Sequence, residues 1–253
     1  MPAEFNLEGR AALITGAGRG IGTGIAEALA EAGADVAVNA RTQGYAEPFA
    51  RALEKRTGRR ILTEIADVTI IEEVEAMVKR VVGHLGKIDI LVNNLGDSIP
   101  NPLLATSAEE IRKVLDLNMM ATIYCTRAVG KHMLEQQRGK VINISSFAAL
   151  RGYANRSLYT LAKTAVLGFT RSLAQEWASS GIQVNAIAPG IFPDPVTIGQ
   201  EAYEKAVNDA KDRIPMGRVG ELREAGLLAV YLASPASDYM TGQVLCLDGG
   251  LTL

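Results

Sequence analysis

The sequence predicts an α/β protein with a single, doubly wound parallel sheet of the Rossmann type and helices on both faces. Short apolar runs alternate along the chain with longer segments whose apolar residues recur at helical spacing. The runs are apolar throughout, which is typical of parallel strands that are covered on both faces. The 253 residues suffice for one large domain, and no linker rich in Pro, Gly or Ser divides them. One domain spanning residues 1–253 is therefore expected.

The elements follow one another as strand and helix. Strands are predicted at residues 11–14, 36–38, 61–65, 88–92, 140–144, 182–187 and 244–247. Helices are predicted at residues 21–32, 45–56, 71–85, 111–133, 158–178 and 221–232. Gly33, Gly86, Gly139 and Gly181 stand between a helix and the next strand, where a left-handed helix C-cap is expected. Right-handed crossovers between such strands produce a doubly wound sheet.

Composition excludes several classes of function. Apolar residues make up 48% of the chain and its net charge is −2, which argues against global disorder and against a basic nucleic-acid-binding surface. Two cysteines and two histidines indicate neither a disulfide framework nor a Cys/His metal site. The N-terminus lacks a signal-peptide pattern, and no run approaches the ~18 apolar residues of a membrane span. We therefore expect a cytoplasmic protein without metal, membrane or nucleic-acid partners.

A glycine-rich loop joins the first predicted strand to the first helix. Residues 15–22 read T-G-A-G-R-G-I-G, with Gly16, Gly20 and Gly22 in a G-x-x-x-G-x-G spacing. Glycines allow the backbone to approach a pyrophosphate closely, and the helix N-terminus that follows favours an anion. A plain tight turn is the alternative interpretation. The strand before the loop and the helix after it favour a dinucleotide site.

The end of the second strand indicates which dinucleotide is bound. Sites for NAD usually place a carboxylate there to hold the ribose 2′-hydroxyl, but this strand ends in V-N-A-R and Asp35 lies at its other end. Arg41 and Arg19 are suited to clamping a 2′-phosphate, unless both are simply solvated surface residues. NADP(H) is the expected cofactor, with Asp67 and Val68 beside its adenine.

Four polar residues indicate the chemistry. Tyr159 and Lys163 are four residues apart on a predicted helix and share a face. A nearby ammonium and an oxidised nicotinamide would both favour the phenolate, so Tyr159 can exchange a proton with a substrate oxygen. Ser146 follows the fifth strand at the ligand-binding edge. Asn118 lies in the middle of a long helix, where it suggests a kink or a bound water. Each residue alone is compatible with an ordinary surface or core position, and only the set indicates catalysis.

These motifs resemble those of the short-chain dehydrogenase/reductase family over essentially the whole chain. The matching segments are residues 15–22, 67–68, N-N-L-G at 93–96, Asn118, Ser146, Y-x-x-x-K at 159–163, N-A-I-A-P-G at 185–190 and D-G-G at 248–250. The resemblance implies hydride transfer between a nicotinamide and a carbonyl or carbinol carbon. It implies that Tyr159 is the acid/base, that Ser146 holds the substrate oxygen, and that Asn118 holds a relay water. Lys163 would lower the tyrosine pKa and bind the nicotinamide ribose.

The residues and the resemblance together imply a catalytic set and a cofactor-binding set. The catalytic set is Asn118, Ser146, Tyr159 and Lys163. The cofactor set is Gly16, Arg19, Gly20, Ile21, Gly22, Arg41, Asp67, Val68, Asn94, Gly96, Tyr159, Lys163, Pro189, Gly190 and Phe192. An Ala-Arg pair at residues 40–41 resembles NADP-preferring members of the family.

The substrate is less well indicated. Residues 214–218 and 248–250 resemble 3-oxoacyl-[acyl-carrier-protein] reductases, so reduction of a 3-oxoacyl thioester is the first expectation. Leu95 replaces the usual alanine, and Asp194, between two prolines, stands where the family often has threonine. Gln137 and Ser180 occupy positions where carrier-protein reductases often have arginines, although Lys131, Arg138 and Lys140 are nearby. These departures favour the alternative, a dehydrogenase of a small polyol, sugar acid or cyclic alcohol.

Two further hypotheses concern other classes of protein, and two expectations concern a substrate lid and the oligomeric state. A catalytically silent dinucleotide-binding subunit is one alternative, and the intact Ser146, Tyr159 and Lys163 argue against it. A nucleotide-sugar epimerase or dehydratase would need a larger substrate domain. Residues 192–214 are expected to form a lid over the substrate. The predicted helices at 111–133 and 158–178 are apolar on more than one face, which indicates that they are buried on more than the side that faces the sheet. In the family that the sequence resembles, these helices commonly pair with a second subunit within a tetramer, so the resemblance implies a homotetramer rather than a monomer with an apolar surface.

Overall fold

The structure, a computed structural model, describes residues 2–98 and 100–253, and within them seven strands form one parallel sheet. The strands are β1 (Ala11–Ile14), β2 (Asp35–Ala40), β3 (Ile61–Ile65), β4 (Ile90–Asn93), β5 (Gly139–Ile144), β6 (Ile182–Pro189) and β7 (Val244–Leu247). Their order across the sheet is β3-β2-β1-β4-β5-β6-β7. This order reverses between β1 and β4, which leaves a crevice at the carboxyl ends of the strands.

Helices cover both faces of the sheet. They are α1 (Ile21–Glu31), α2 (Gln43–Thr57), α3 (Ile71–Leu85), α4 (Ala108–Leu115), α5 (Ala121–Gln136), α6 (Ser157–Trp177), α7 (Pro195–Ile198), α8 (Gln200–Arg213) and α9 (Leu222–Ala233). Ala12 and Ile14 of β1 share a core with α1, α2 and α9, whereas Ala11 and Leu13 share a second core with α3, α5 and α6. The predicted fold class, a doubly wound parallel sheet, is confirmed.

The predicted helix at residues 111–133 is not continuous. A π-helical turn, Asp116–Met120, separates α4 from α5. At its centre the buried Asn118 side chain donates through Nδ2 to the carbonyl oxygen of Val114 at 3.0 Å. A side chain that takes this carbonyl competes with the regular helical hydrogen-bond ladder. The prediction of one uninterrupted helix was wrong, while the backbone irregularity expected at Asn118 is present.

One predicted C-cap glycine has another role. Gly33, Gly86 and Gly181 adopt positive φ as predicted, but after α5 the left-handed residue is Gln137, with φ of 51°. Gly139 is instead the first residue of β5. A Cβ atom on Gly139 would lie 2.4 Å from the Met133 sulfur, so close packing against α5 explains the glycine.

Among the residues that the structure describes, no helix is both long enough and apolar enough to cross a membrane. The same residues contain no group of three or more His, Cys, Asp or Glu side chains arranged to hold a metal ion.

Candidate active site

The carboxyl ends of β1 and β4 are joined through side-chain hydrogen bonds. The Thr15 hydroxyl oxygen accepts from the backbone N–H groups of Asn94 at 3.0 Å and Leu95 at 3.2 Å. In return, Asn94 Nδ2 donates to the carbonyl oxygens of Thr15 and Gly16 at 2.9 and 3.0 Å. The glycine-rich loop and the N-N-L-G segment therefore form one rigid unit at the crevice.

The three glycines of the loop serve different needs. Gly16 and Gly20 have φ of 62° and 67°, which side chains rarely tolerate. A Cβ atom on Gly22 would lie 2.6 Å from Asn94 Nδ2. Gly20 is the N-cap of α1 and makes no side-chain cap of its own. A backbone without side chains, at the N-terminus of an eleven-residue helix, fits the pyrophosphate of a dinucleotide.

Asn39 positions this loop and was not predicted as a site residue. Its side-chain oxygen accepts from Gly16 N–H at 3.4 Å, and its Nδ2 donates to the carbonyl oxygens of Glu64 and Ala66. The residue is buried at the end of β2. An amide directly after the apolar run at residues 36–38 was the available signal, because a buried amide needs several hydrogen-bond partners.

The predicted adenine end contains exposed cations and no carboxylate at the end of β2. Arg19 and Arg41 are both exposed, and the Arg19 guanidinium lies 6.0 Å from the centre of the Tyr45 ring. Asp35 begins β2 at the opposite edge, where it is paired with Arg59 and Arg60. Val68 is buried, and the Asp67 carboxylate accepts from Thr69 in a tight turn after β3.

The predicted catalytic residues converge beside this loop. Lys163 is buried on α6 and donates through Nζ to the carbonyl oxygen of Ile144 at 3.0 Å, at the end of β5. Its Nζ lies 5.9 Å from the centre of the Tyr159 ring. Ser146 follows β5, and its hydroxyl oxygen accepts from Ala148 N–H at 3.1 Å. Ser145, which was not predicted, donates to the carbonyl oxygen of Lys163 and fixes α6 against β5.

Asn118 and Lys163 approach one common point. A Cβ atom built on Gly96 would lie 2.7 Å from Asn118 Oδ1 and 2.8 Å from Lys163 Nζ. Asn118 also exchanges hydrogen bonds with the backbone of Asp97, both at 3.0 Å. Glycine at position 96 therefore keeps open a small polar space that an alanine would fill.

Burial shifts both titratable groups toward their neutral forms. It raises the pKa of Tyr159, while a hydrogen bond with Ser146 and the charge of Arg156 act in the opposite direction. Burial lowers the pKa of Lys163 to about 8. At neutral pH the tyrosine hydroxyl thus holds a proton to donate, and Lys163 changes charge within the range where enzymes work.

Two cavities differ in their relation to this site. The larger, about 270 Å³, lies at the amino ends of β4 and β5, and its charges pair with one another, as in Arg10–Asp89 and Lys140–Asp238. The smaller, about 160 Å³, includes in its lining Phe147, the residue that follows Ser146 in the sequence. Its lining consists of Phe147, Arg151, Tyr153, Arg213 and Leu251. Arg151 and Arg213 had not been predicted, because only the fold brings them together.

The segment at residues 192–214 touches the site at both ends. Asp194 accepts a hydrogen bond from the backbone N–H of Gly20 at 2.8 Å. At the other end, Arg213 donates to the Tyr153 hydroxyl at 3.0 Å. Phe192 packs against Gly220, where a Cβ atom would lie 2.3 Å from the ring.

Comparison with known proteins assigns this fold and site to a class. Residues 16–252 match the family described as Enoyl-(Acyl carrier protein) reductase. The 3-oxoacyl-[acyl-carrier-protein] reductase of Vibrio harveyi is 38% identical over 251 residues, which covers 97% of this chain and 98% of the relative. The 2-dehydro-3-deoxy-D-gluconate 5-dehydrogenase of Bacillus subtilis is 41% identical over 246 residues, covering 97% and 96%.

Solved structures agree with the sequence comparisons. A gluconate 5-dehydrogenase of Burkholderia cenocepacia, crystallised with NADP and tartrate, superposes with a TM-score of 0.91 at 36% identity, covering 98% of this chain and 97% of the other. The fold and the site thus define a nicotinamide-dependent oxidoreductase. The chain belongs to the short-chain dehydrogenase/reductase family, as its motifs had predicted.

The buried Lys163 ammonium generates a prediction about stability. Its folded pKa of about 8 lies below the ~10.4 of an unfolded lysine. Between these values the unfolded state binds more protons, so stability rises with pH, and below about 8 the full cost of burial is present. Lys163→Met removes this burial cost but also removes the hydrogen bond to Ile144. The net effect at pH 7 should be to stabilise the fold by about 2 kcal/mol.

Urea unfolding at pH 7 and pH 10 measures this effect. The advantage of Lys163→Met over the native chain should shrink at pH 10. Lys79→Met, at an exposed position of α3, is the matched control and should show no such pH dependence. An equal or lower stability of Lys163→Met at pH 7 would contradict a net cost of burying this charge.

Proposed function

We propose that this chain interconverts a ketone and a secondary alcohol with NADP(H), using Tyr159 as its acid/base. The observation that carries the proposal is the convergence of Ser146, Tyr159, Lys163 and Asn118 beside the glycine-rich loop. These groups meet where ligands of open α/β sheets bind. When bound, the nicotinamide dinucleotide supplies or accepts the hydride.

Each residue has a distinct role toward the substrate oxygen. In reduction, the Tyr159 hydroxyl donates its proton to the carbonyl oxygen, and the Ser146 hydroxyl donates a hydrogen bond to the same oxygen. Because Ser146 Oγ accepts from Ala148 N–H, its hydroxyl is held in a fixed position. The polar space between Asn118 and Lys163 suits a water molecule that returns protons toward Tyr159.

The role of Tyr159 can be tested by removing only its hydroxyl. Tyr159→Phe should abolish turnover of every carbonyl substrate and leave NADPH binding nearly intact, because the ring and its packing remain. Steady-state absorbance at 340 nm and a binding titration measure the two properties. Loss of NADPH binding together with turnover would contradict the catalytic assignment.

We propose NADP(H) rather than NAD(H) as the physiological cofactor. Arg19 and Arg41 are exposed near the end of β2, where no carboxylate is present to hold a ribose 2′-hydroxyl. A guanidinium suits a bidentate contact with a 2′-phosphate. NADP in the related gluconate 5-dehydrogenase structure also supports this choice.

Substitution of Arg41 tests the cofactor preference. Arg41→Ala removes one charge-assisted hydrogen bond, which contributes about 1.5–3 kcal/mol. The affinity for NADPH should therefore fall by about tenfold or more. NADH binding should stay unchanged. Arg51→Ala, which removes an exposed arginine of α2 that is paired with Glu47, is the control. Equal effects of Arg41→Ala on both cofactors would show that Arg41 contacts no 2′-phosphate.

For the substrate, we propose a small oxo or hydroxy acid as the first candidate, in preference to a 3-oxoacyl thioester. The cavity of about 160 Å³ beside Phe147 is small for a substrate pocket, and two guanidinium groups line it. Arg213 donates one hydrogen bond to the Tyr153 hydroxyl, and Arg151 donates one to the carbonyl oxygen of Leu251. Each guanidinium has five donors, so others remain for a carboxylate. The sugar-acid dehydrogenases among the relatives fit this choice.

The thioester remains the second candidate. Several relatives are named as 3-oxoacyl-[acyl-carrier-protein] reductases. Gln137 and Ser180 stand where such enzymes often carry arginines, so a docking surface for an acidic carrier protein is poorly supported. Turnover of an acetoacetyl thioester with NADPH distinguishes the candidates. Turnover of either substrate also excludes a catalytically silent subunit.

Arg213 provides the test of the substrate class. Arg213→Gln should lower kcat/KM for a six-carbon oxo acid by about tenfold or more, since a hydrogen bond to a charged group is lost. The value for the neutral amide of the same acid should not change. Lys211→Gln, on the same helix and exposed, is the control. Similar losses for the acid and the amide would contradict recognition of a carboxylate.

We also propose a homotetramer built on the outer faces of α5 and α6. Leu161 of α6 is exposed, and Phe169 of the same helix is only partly covered within the chain. Apolar side chains in such positions favour contact with a second subunit. Light scattering in solution measures the assembly directly.

A further inference from the structure

We propose that Asp194 is a built-in anion ligand of the glycine-rich loop and that its carboxylate opposes dinucleotide binding. Asp194 Oδ2 accepts from Gly20 N–H at 2.8 Å and from the Thr197 hydroxyl at 2.7 Å. Its Oδ1 accepts from Val196 N–H at 3.0 Å. Only 7% of the residue is exposed. The inference rests on dinucleotide binding by the loop, and it holds for either NADP(H) or NAD(H).

The Gly20 N–H group lies in the loop that is proposed to hold the pyrophosphate. Gly20 is the N-cap of α1, where unpaired N–H groups and the helix dipole attract an anion. The three polar contacts of the Asp194 carboxylate all come from neutral donors, so no cation in these contacts offsets its charge. A phosphate oxygen placed at the same N–H meets this negative charge at close range. Binding of the pyrophosphate therefore requires the carboxylate to move away.

The local backbone holds Asp194 in place before any ligand arrives. Pro193 and Pro195 flank it, and each fixes its own φ. Asp194 has φ of −121° and ψ of 116°, the extended conformation favoured before a proline. The side chain also caps α7, since it accepts from Val196 N–H. The contact with Gly20 is thus part of a preorganised turn.

Displacing the carboxylate has a consequence for the segment at residues 192–214. The turn at Asp194 is anchored to Gly20, and the far end of the segment is anchored by Arg213 to Tyr153. Pyrophosphate binding removes the first anchor and the cap of α7 together. By linkage, the factor by which dinucleotide binding destabilises the anchored conformation of residues 192–214 equals the factor by which that conformation weakens dinucleotide binding. Asp194 therefore couples cofactor binding to the conformation of the segment beside the substrate cavity.

Binding of defined ligands to Asp194→Asn and Asp194→Thr tests the proposal. The probes are NADPH, ADP-ribose and adenosine 2′-phosphate, measured by isothermal titration calorimetry. The two pyrophosphate ligands should bind about tenfold more tightly to both variants than to the native chain, a typical size for such coupling. Adenosine 2′-phosphate, which lacks a pyrophosphate, should bind equally to all of them.

A matched control separates this effect from a change in net charge. Asp209→Asn removes one negative charge from an exposed position of the same segment and should leave every affinity unchanged. Unchanged or weaker pyrophosphate binding in both Asp194 variants, with folding verified by circular dichroism, would overturn the proposal, as would equal tightening in the control. The ADP-ribose arm tests Asp194 even if the preference for NADP(H) is wrong.

Hydrogen exchange of the native chain gives a second readout. Saturating ADP-ribose should increase deuterium uptake in the peptide that contains Val196 and Thr197, because the α7 cap is lost. The same peptide in Asp194→Asn should change little. Increased protection of this peptide in the native chain would show that the carboxylate stays in place, contrary to the proposal.

Discussion

The contact on which the rest of the site depends is the exchange of hydrogen bonds between Thr15 and Asn94. It joins the carboxyl ends of β1 and β4, the two strands between which the sheet order reverses. On one side of it the glycine-rich loop presents its backbone. On the other side, Gly96 leads to Asn118 and Lys163. This pair of residues thereby helps to fix the distance between the glycine-rich loop, which is proposed to bind the dinucleotide, and the proposed proton-transfer groups. Positioning of reactants contributes substantially to the rate enhancement of enzymes.

Behind this edge, the structure maintains a polar network inside an apolar core. Asn93 Nδ2 donates to Thr126 Oγ1 and to Asn143 Oδ1, both at 2.8 Å, and Asn143 Nδ2 donates to Thr170 Oγ1 at 2.9 Å. This series of hydrogen bonds connects β4 and β5 to α5 and α6, the helices that flank the proposed catalytic residues. Buried polar groups are costly unless they are hydrogen-bonded, and bonded networks favour a single arrangement. Within the described part of the chain, the Asn93 side-chain oxygen of this network has no hydrogen-bond partner, while the amide nitrogens of Asn93 and Asn143 are both bonded. The network orients α6, and therefore Tyr159 and Lys163, relative to the sheet.

Much of the architecture could be predicted from the sequence because the determining signals are local. Short apolar runs that alternate with helical segments, and glycines between these elements, predicted the seven strands and the doubly wound sheet. The Y-x-x-x-K spacing on a helix, together with the glycine loop, led to the proposed site residues. The π-helical turn at Asn118 was predicted only as an irregularity, since the carbonyl of Val114 and the backbone of Asp97 determine its form.

Asn39, Arg151 and Arg213 were missed because their contacts join distant segments. Gly139 was misassigned because a steric contact with Met133 does not differ from a C-cap at the level of sequence.

In the proposed reaction, one site joins hydride transfer to a carbonyl with proton donation by Tyr159. The most direct measurement uses NADPH carrying deuterium at the transferable position of nicotinamide C4, with a six-carbon oxo acid, an acetoacetyl thioester and simple ketones as acceptors. Mass spectrometry and NMR of the products locate the label. Deuterium is expected on the carbinol carbon of at least one product. Bound NADPH that transfers no deuterium to any acceptor would contradict the proposed reaction.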